Sequence, residues 1–367
     1  MAQVINTDQH RAVTFTDIKK TSSIPVTIGG ASESNQQPHT FKTKGDKTLP
    51  RLFSVAPMMT WTDRHCRYFH RQLSQHALLY TEMITTGALI HGDRQHLLQH
   101  DAFEHPLALQ LGGHDAAELA RCARLAQTWG YQEVNLNVGC PSDRVQNGRI
   151  GACLMEEPNT IANGVASMLD VVDIPVTVKH RIGTNRQDSY SKLVDFVGKV
   201  ADAGCQTFIV HARIAILEGL SPKQNRDIPP LKPDWVYQLK KDFPNLEIII
   251  NGGIKSLKEA REHMINLDGV MVGREAYQNP YMLAEVDNLL YGTCSLTVER
   301  KVIVERMIPY IESSLINGIY ISHITRHMLG LYHGVPGAKR FRRHISENAH
   351  KPGAGSQLLL DAISLIE

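Results

Sequence analysis

The residues of this chain best placed for chemistry lie in the run Asn135-Leu136-Asn137-Val138-Gly139-Cys140-Pro141-Ser142. Its apolar positions predict a short buried strand that ends at Gly139 and delivers Cys140 into a loop bent by Pro141. Most cysteines serve as small buried hydrophobes, so the residue type alone favours a structural role. A thiol at a strand end, between a glycine and a proline, is nevertheless a candidate for catalysis, and its role depends on what surrounds it.

Composition narrows the class of protein. The chain has 367 residues, of which 42% are hydrophobic, enough for one large domain and a smaller one. Its net charge of +2 does not indicate a nucleic-acid partner, so evidence for one must come from local clustering. The six cysteines show no C-x-x-C spacing, which argues against a zinc site or a disulfide framework. Without a signal peptide or an apolar run of about 20 residues, we expect a cytoplasmic protein.

Three segments differ in their patterning. Residues 1–48 are polar and aperiodic, which predicts a flexible leader. Residues 49–290 contain eight short apolar runs that alternate with amphipathic stretches, as in a (β/α)₈ TIM barrel. A doubly wound sheet is the alternative, but no G-x-G-x-x-G fingerprint follows the first run. The runs are Leu52–Met58, Ala77–Met83, Pro106–Leu111, Glu133–Gly139, Pro175–His180, Thr207–Ala212, Leu246–Gly252 and Gly269–Gly273.

Residues 291–367 lose the strand pattern and predict a small all-helical domain. The predicted helices are Thr297–Asn317, Tyr320–Tyr332, Gly337–Ala349 and Leu358–Ile366. From His323 to Lys351 there are six Lys and Arg residues against the single acid Glu347, a local charge of +5. A solvated helix face is one interpretation. The tight cluster Lys339-Arg340-Phe341-Arg342-Arg343 favours a surface for a polyanion, since each phosphate contact releases counterions.

A barrel places its chemistry where the strands end. Polar or glycine residues stand at nearly every predicted strand end of this chain, which packing alone does not explain. These strand ends carry Ala56-Pro57-Met58-Met59, Gln110, Asn137 with Cys140, Lys179, His211, Asn251-Gly252-Gly253 and Gly273-Arg274. We therefore expect one site at the mouth of the barrel.

The loops after the seventh and eighth runs predict a phosphate site. In this fold, glycine backbone N–H groups and a helix N-terminus commonly bind phosphate there. Gly252 and Gly253 permit close backbone approach, and Arg274 can neutralise the charge. Asn251 alone could merely cap a turn. With both loops present, a phosphate-bearing cofactor is the better interpretation.

Gln110, Lys179 and His211 are suited to an isoalloxazine ring, because a lysine near N1 stabilises a reduced flavin. A Schiff-base lysine, a lysine that extends to solvent and a core histidine are the alternatives. If a flavin delivers hydride to one carbon of a double bond, the adjacent carbon needs a proton. A thiol, mostly protonated at neutral pH, can supply it from Cys140. A nucleophilic Cys140 would need a base, and no histidine lies close to it in sequence.

From about Leu52 to its end, the chain resembles the tRNA-dihydrouridine synthases, and among them the A-type branch. The resemblance covers both predicted domains and omits only the leader. It rests on Ser54–Met59, Trp61–Arg67, Ala108–Gly113, Asn135–Gln146, Gly219–Lys223, Gly269–Pro280, His323–Leu331 and Ser346–His350. Two positions differ from the family pattern: Thr60 stands where an acid is usual, and Ile214 where a lysine is familiar. Neither touches the expected acid or flavin set, so we expect activity to survive.

The resemblance implies an FMN-dependent oxidoreductase that uses NADPH to convert uridine to 5,6-dihydrouridine in the tRNA D-loop, at positions 20 and 20a. It implies hydride transfer from FMN to C6 and a proton from Cys140 to C5. It also implies a monomer without a bound metal. The implied FMN contacts are Pro57, Met58, Met59, Gln110, Lys179, His211, Asn251, Gly252, Gly253, Gly273 and Arg274. Asn137 would face the target nucleotide, and Lys223, Arg226, Lys339 and Arg342 would contact the tRNA.

Three other functions remain open at this point. A small-molecule flavin reductase of the dihydroorotate or ene-reductase kind would use the same barrel, but it gives the basic tail no purpose. A Schiff-base lyase would use Lys179. A non-catalytic RNA-binding protein with a decayed barrel would not need the strand-end residues, which are intact.

Overall fold

The structure is a computed structural model, and it describes residues 49–142, 148–186, 188–294 and 296–366. The predicted leader, residues 1–48, lies outside the described residues. In the part of the chain that is described, no helix is long and apolar enough to span a membrane.

Eight parallel strands form one sheet in the order β1-β8-β7-β6-β5-β4-β3-β2. The sheet closes beside β1, where the Val55 N–H donates to Leu78 O and the Leu78 N–H donates to Phe53 O, both at 3.0 Å. The predicted (β/α)₈ barrel is therefore confirmed. The strands are β1 Phe53–Val55, β2 Leu79–Thr85, β3 Leu107–Gly112, β4 Glu133–Val138, β5 Val176–Arg181, β6 Thr207–His211, β7 Glu247–Asn251 and β8 Gly269–Val272.

Helices cover the outside of the barrel, and local sequence signals start several of them. Side chains of Asp115, Ser189 and Ser256 accept backbone N–H groups at three helix N-termini. Pro158 and Pro233 begin two others, where the missing N–H costs nothing. The helices of this part are α1 Arg64–Leu73, α2 Thr86–His91, α3 Arg94–Leu98, α4 Ala116–Thr128, α5 Pro158–Leu169, α6 Tyr190–Asp202, α7 Pro233–Asp242, α8 Leu257–Met264, α9 Arg274–Gln278 and α10 Val286–Tyr291.

Strand β4 shows how the sequence divides the two sides of the barrel wall. Val134, Leu136 and Val138 belong to the large hydrophobic cluster that includes the surrounding helices. Because side chains alternate along a strand, Glu133, Asn135 and Asn137 point the other way, into the barrel. The interior of this barrel is therefore partly polar.

The floor of the barrel is a buried ionic cluster. Arg51 Nε donates to Glu133 at 2.7 Å and its Nη1 donates to Glu247 at 2.9 Å. The hydroxyls of Thr177 and Thr207 donate to the same two carboxylates, each at 2.7 Å. Burial disfavours the charge on Arg51, but the carboxylates outweigh this effect and hold its pKa above the usual value. The cation thereby links β4 and β7 across the interior.

The segment after residue 291 is helical, as predicted, with one error. Its helices are α11 Arg300–Ile316, α12 Ile321–Thr325, α13 Ala338–Asn348 and α14 Gln357–Ser364. The single helix predicted over Tyr320–Tyr332 is wrong, because α12 ends at Thr325 and turns follow. Gly334 and Gly337, between α12 and α13, have φ angles of +77° and +83°, which lie outside the range of a regular helix. At Gly330 a Cβ atom would lie 2.4 Å from the Gln278 carbonyl oxygen, so the two backbones touch.

The terminal helices pack on the barrel at Asp63. Asp63 caps α1 by accepting the N–H groups of His65 and Cys66. Its carboxylate also accepts hydrogen bonds from Arg326 and from His327, the latter at 3.1 Å. Burial opposes the charge on Asp63, but these bonds outweigh it and hold its pKa below the usual range. The predicted boundary between domains at 290 and 291 stays a prediction, since both parts contribute to one hydrophobic cluster.

We expect Arg51→Met to lower the free energy of unfolding by about 3–5 kcal/mol, the usual cost of leaving a buried charge without its partner. Two buried carboxylates, Glu133 and Glu247, would face each other without a cation. Urea denaturation measures the loss. Arg343→Met is the control, because Arg343 pairs with Glu347 on an exposed helix face and should leave the midpoint nearly unchanged. Equal losses in both variants would contradict the role given to Arg51.

Candidate active site

A cleft of about 1550 Å³ opens at the carboxyl ends of the strands. Every residue that the sequence predicted for the flavin lines it, which brings together positions from six of the eight strand ends. These residues are Pro57, Met58, Met59, Gln110, Lys179, His211, Asn251, Gly252, Gly253, Gly273 and Arg274. Asn137, Cys140 and Arg226 also line the cleft. Lys223, Lys339 and Arg342 do not line it and lie exposed elsewhere.

The turn that carries Cys140 is held by Asn137. The Asn137 Oδ1 atom accepts the N–H groups of Gly139 at 3.0 Å and Cys140 at 3.1 Å. Its Nδ2 atom donates to Gln110 Oε1 at 2.8 Å. The Cys140 carbonyl accepts the Ala152 N–H at 2.9 Å, which closes the turn from the other side. Cys140 is partly exposed to the cleft, whereas residues 143–147 of the predicted motif lie outside the described residues.

Lys179 reaches the cleft from β5 and is fixed in place. Its Nζ atom donates to Asn251 Oδ1 at 3.0 Å, and Asn251 Nδ2 donates to Met271 O at 2.7 Å. Burial, together with the charge of Arg181, lowers the pKa of Lys179 to about 7. The amine is therefore poised to change its protonation state when an anion or a strong acceptor approaches.

His211 and the two glycines after β7 form a tight wall. Burial, with the charges of Arg181 and Lys179, holds the pKa of His211 well below its usual value, so its ring is neutral. Gly252 and Gly253 have φ angles of +112° and +77°. A Cβ on Gly252 would lie 2.6 Å from the His211 ring, so only glycine fits. The backbone here meets the cleft without a side chain in the way.

The same side of the cleft carries more positive than negative charge. Arg274 pairs with Asp227 at 2.8 Å, and this bond lowers the pKa of the Asp227 carboxyl. The Nε atoms of Arg213 and Arg226 are buried and lack a hydrogen-bond partner among the described residues. Burial lowers the pKa of both guanidinium groups. Arg226 and Arg274 line the cleft, and among the described residues Arg226 has no carboxylate within ion-pair distance, which favours an anionic ligand there.

Sequence reasoning missed several residues at this site. Glu82 lines the cleft, and burial raises its pKa, but an acid inside strand β2 gives no sequence signal. Its carboxylate accepts the Thr60 N–H, and Thr60 itself has a φ angle of +65°, which is unusual for a β-branched residue. Asp227 was missed because its partner Arg274 is distant in sequence. Arg326 lines the cleft from the helical segment.

The basic helix α13 lies apart from the cleft lining. Lys339, Arg340, Arg342 and Arg343 are all exposed on it. Arg343 is neutralised by Glu347 at 2.7 Å. Among the described residues, no acidic side chain lies within ion-pair distance of Lys339 or Arg342. Their charge is therefore free to act on a partner.

Comparison with solved structures supports the fold. A 2-naphthoyl-CoA reductase in complex with 2-naphthoyl-CoA matches with a TM-score of 0.51 at 10% sequence identity. The match covers 64% of this chain and 49% of that enzyme, so the chain spans about half of its length. At this identity the likeness concerns the fold alone.

Comparison with protein sequences is far more specific. The tRNA-dihydrouridine(20/20a) synthase of Pseudomonas syringae pv. tomato is 63% identical, over 87% of this chain and 95% of that protein. The protein of the same name from Vibrio vulnificus is 62% identical, over 85% of this chain and 96% of its own length. The model of the dihydrouridine synthase (Dus) family matches residues 54–367. The chain therefore belongs to the dihydrouridine synthase family.

Proposed function

We propose that this protein reduces uridine to 5,6-dihydrouridine at positions 20 and 20a of the tRNA D-loop, with FMN as cofactor and NADPH as reductant. The observation that carries the proposal is the shared cleft, in which Cys140 lies together with all the residues expected to hold the flavin. The names of the relatives at 62–63% identity support the substrate and its positions. The modification of tRNA is consistent with a cytoplasmic enzyme.

The residues present fit FMN. Gly252 and Gly253 leave backbone N–H groups without side-chain cover, and Arg274 with Arg226 supplies positive charge, which suits a phosphate. Gln110 and Lys179 would offer hydrogen bonds to the ring, beside the neutral His211. When bound, FMN supplies the hydride that uridine reduction requires.

The protein's own contribution to the reaction is a proton and a fixed geometry. We assign the proton that is added at C5 of uracil to the Cys140 thiol. The Asn137 side chain holds the turn, so the sulfur keeps one position relative to the cleft. Lys179, whose pKa is lowered to about 7 by burial, would take up a proton where negative charge develops beside it.

The RNA would be held by Lys223, Lys339 and Arg342 outside the cleft and by Arg226 in its lining. Recognition of this kind relies on phosphate contacts and on splayed bases rather than on a large net charge. The target base must leave its stack to enter the cleft, which costs a few kcal/mol. The exposed charges on α13 suit the phosphate contacts, and the size of the cleft suits the entry of the base.

Replacing Cys140 with Ala should lower the rate of dihydrouridine formation by about 100-fold or more, the usual contribution of a general acid. The flavin should stay bound, because the cofactor residues are untouched. The measurement is dihydrouridine content of tRNA after single turnover, with flavin absorbance recorded in parallel. Cys153→Ala is the matched control, since Cys153 is also partly exposed but lies outside the cleft lining. Full activity of the Cys140 variant would remove its role, and a protein that binds no flavin would contradict the proposed function.

Lys179 should react with cyanate as a lysine whose pKa lies at about 7, below the usual value, and exposed Lys258 is the reference lysine. Mass spectrometry of the carbamylated peptides across a pH series measures both. Between pH 7 and 10.5 the folded protein binds fewer protons at Lys179 than the unfolded chain does. Its contribution to stability therefore rises over this interval and is least favourable below pH 7. Lys179→Met should abolish that part of the pH dependence, and an ordinary lysine titration would contradict the prediction.

Replacing both Lys339 and Arg342 with Gln should weaken tRNA binding and reduce the slope of log K against log salt concentration by about 0.7–0.9 for each lost phosphate contact. Filter binding at several salt concentrations provides the slope. Lys258→Gln is the control, because Lys258 lies on α8 beside Glu262. An unchanged slope in the double variant would exclude these residues from the RNA surface.

A further inference from the structure

A continuous chain of buried side chains runs from the barrel floor to the Cys140 turn. It begins at Glu133, one of the two carboxylates that bind Arg51, and it ends at two backbone N–H groups. The links are Thr177 Oγ1 to Glu133 Oε1 (2.7 Å), Asn135 Nδ2 to Thr177 Oγ1 (2.8 Å), Gln110 Nε2 to Asn135 Oδ1 (2.7 Å), Asn137 Nδ2 to Gln110 Oε1 (2.8 Å), and Asn137 Oδ1 to the N–H groups of Gly139 and Cys140 (3.0 and 3.1 Å).

The groups at the two ends fix which atom donates and which accepts at every link of this hydrogen-bonded chain of side chains. A carboxylate only accepts hydrogen bonds, so the Thr177 hydroxyl must donate downwards to Glu133. Its oxygen then accepts from Asn135, and every amide above must point the same way. At the top, backbone N–H groups only donate, so the oxygen of Asn137 must face Gly139 and Cys140. Both ends impose the same orientation on the amides between them.

Burial makes this orientation costly to lose. Glu133, Asn135 and Thr177 have no exposed surface, and Gln110 is 1% exposed. Water cannot replace a missing partner there, so each unmet donor or acceptor carries its full desolvation cost. If all the amides reversed, hydrogen bonds would be lost at both ends. The Asn135 oxygen would face the Thr177 oxygen, and the Asn137 NH₂ group would face the backbone N–H groups of Gly139 and Cys140.

We propose that Thr177 and Asn135 are positioning residues for the Cys140 turn. They lie below the cleft and act through Gln110 and Asn137, which they hold in the orientation that caps the turn. The role in catalysis rests on the proposed function, in which Cys140 supplies the proton. The role in ordering the turn stands without it.

The test replaces Thr177 with valine, which has nearly the same shape as threonine but no hydroxyl. In Thr177→Val the lower atom of the Asn135 amide has no partner in either orientation, so only the backbone N–H groups at the upper end still favour the orientation seen here. The free-energy gap between the two orientations therefore narrows, and the reversed one, which releases the turn, is populated more often than in the wild-type protein. Thr207→Val is the matched control, because Thr207 donates to Glu247 at 2.7 Å from the same layer but leads to no amide chain. Thr177→Ser restores the hydroxyl.

Two measurements decide the outcome. Hydrogen exchange of the Gly139 and Cys140 amides should be about tenfold faster in Thr177→Val, in line with the cost of an unmet buried group, and unchanged in Thr207→Val and Thr177→Ser. The rate of dihydrouridine formation at saturating tRNA should fall in Thr177→Val alone, by a smaller factor than exchange rises, because the turn is released for only part of the time. If Thr177→Val does not fold, Thr177→Ala removes the same hydroxyl.

Equal exchange in the two valine variants overturns the proposal, and so does faster exchange with an unchanged rate. A wild-type protein without uridine reduction would refute the proposed function instead. In that case the exchange measurements still decide whether Thr177 orders the turn. The two failures are therefore distinguishable.

Discussion

The barrel depends on one buried cation. Arg51 stands just before β1 and reaches across the interior to carboxylates on β4 and β7, neither of which neighbours β1 in the sheet. Transfer of these charges from water is costly, and only their mutual neutralisation makes the arrangement tolerable. The consequence is geometric. An alternative closure of the sheet would separate the guanidinium from Glu133 or Glu247 and leave a charge stranded in the interior, so the cluster disfavours other registers.

The two ends of the barrel differ in how their cationic side chains are paired with carboxylates. At the floor, one guanidinium donates to two carboxylates, which also accept hydrogen bonds from the hydroxyls of Tyr80, Thr177 and Thr207. At the mouth, Lys179, Arg226 and Arg274 line the cleft, and among the described residues only Arg274 of these three pairs with a carboxylate, that of Asp227. Burial lowers the pKa values of Lys179 and Arg226. A protein tolerates such an imbalance where a ligand restores neutrality, and this is the physical reason to expect an anionic cofactor at the mouth.

Much of this could be predicted from sequence, because the relevant signals are local. Each strand is a short apolar run, and Glu133–Gly139 was predicted to within one residue of β4. The strand-end residues converge on one cleft simply because parallel strands share a polarity. The features that the sequence did not predict are contacts between residues that lie far apart in the chain. Asp227 opposite Arg274, the lowered pKa of Lys179 and the link from Thr177 to Asn135 join residues from different strands or loops. The turns after Thr325 were not predicted, because the contact between the backbones of Gly330 and Gln278 gives no signal in the sequence pattern.

The contacts between the terminal helices and the barrel limit how far the two can move against each other when an RNA binds. Asp63 caps α1 on the barrel and binds Arg326 and His327 from the helical segment. Close by, the backbone of Gly330 touches that of Gln278, leaving no room for sliding. A closing motion between barrel and helices would have to break the Asp63–Arg326 ion pair and this backbone contact together. In the proposed reaction, the adjustment therefore falls on the RNA. The base moves out of its stack to reach a cleft that is already formed, which loop nucleotides do at lower cost than paired ones.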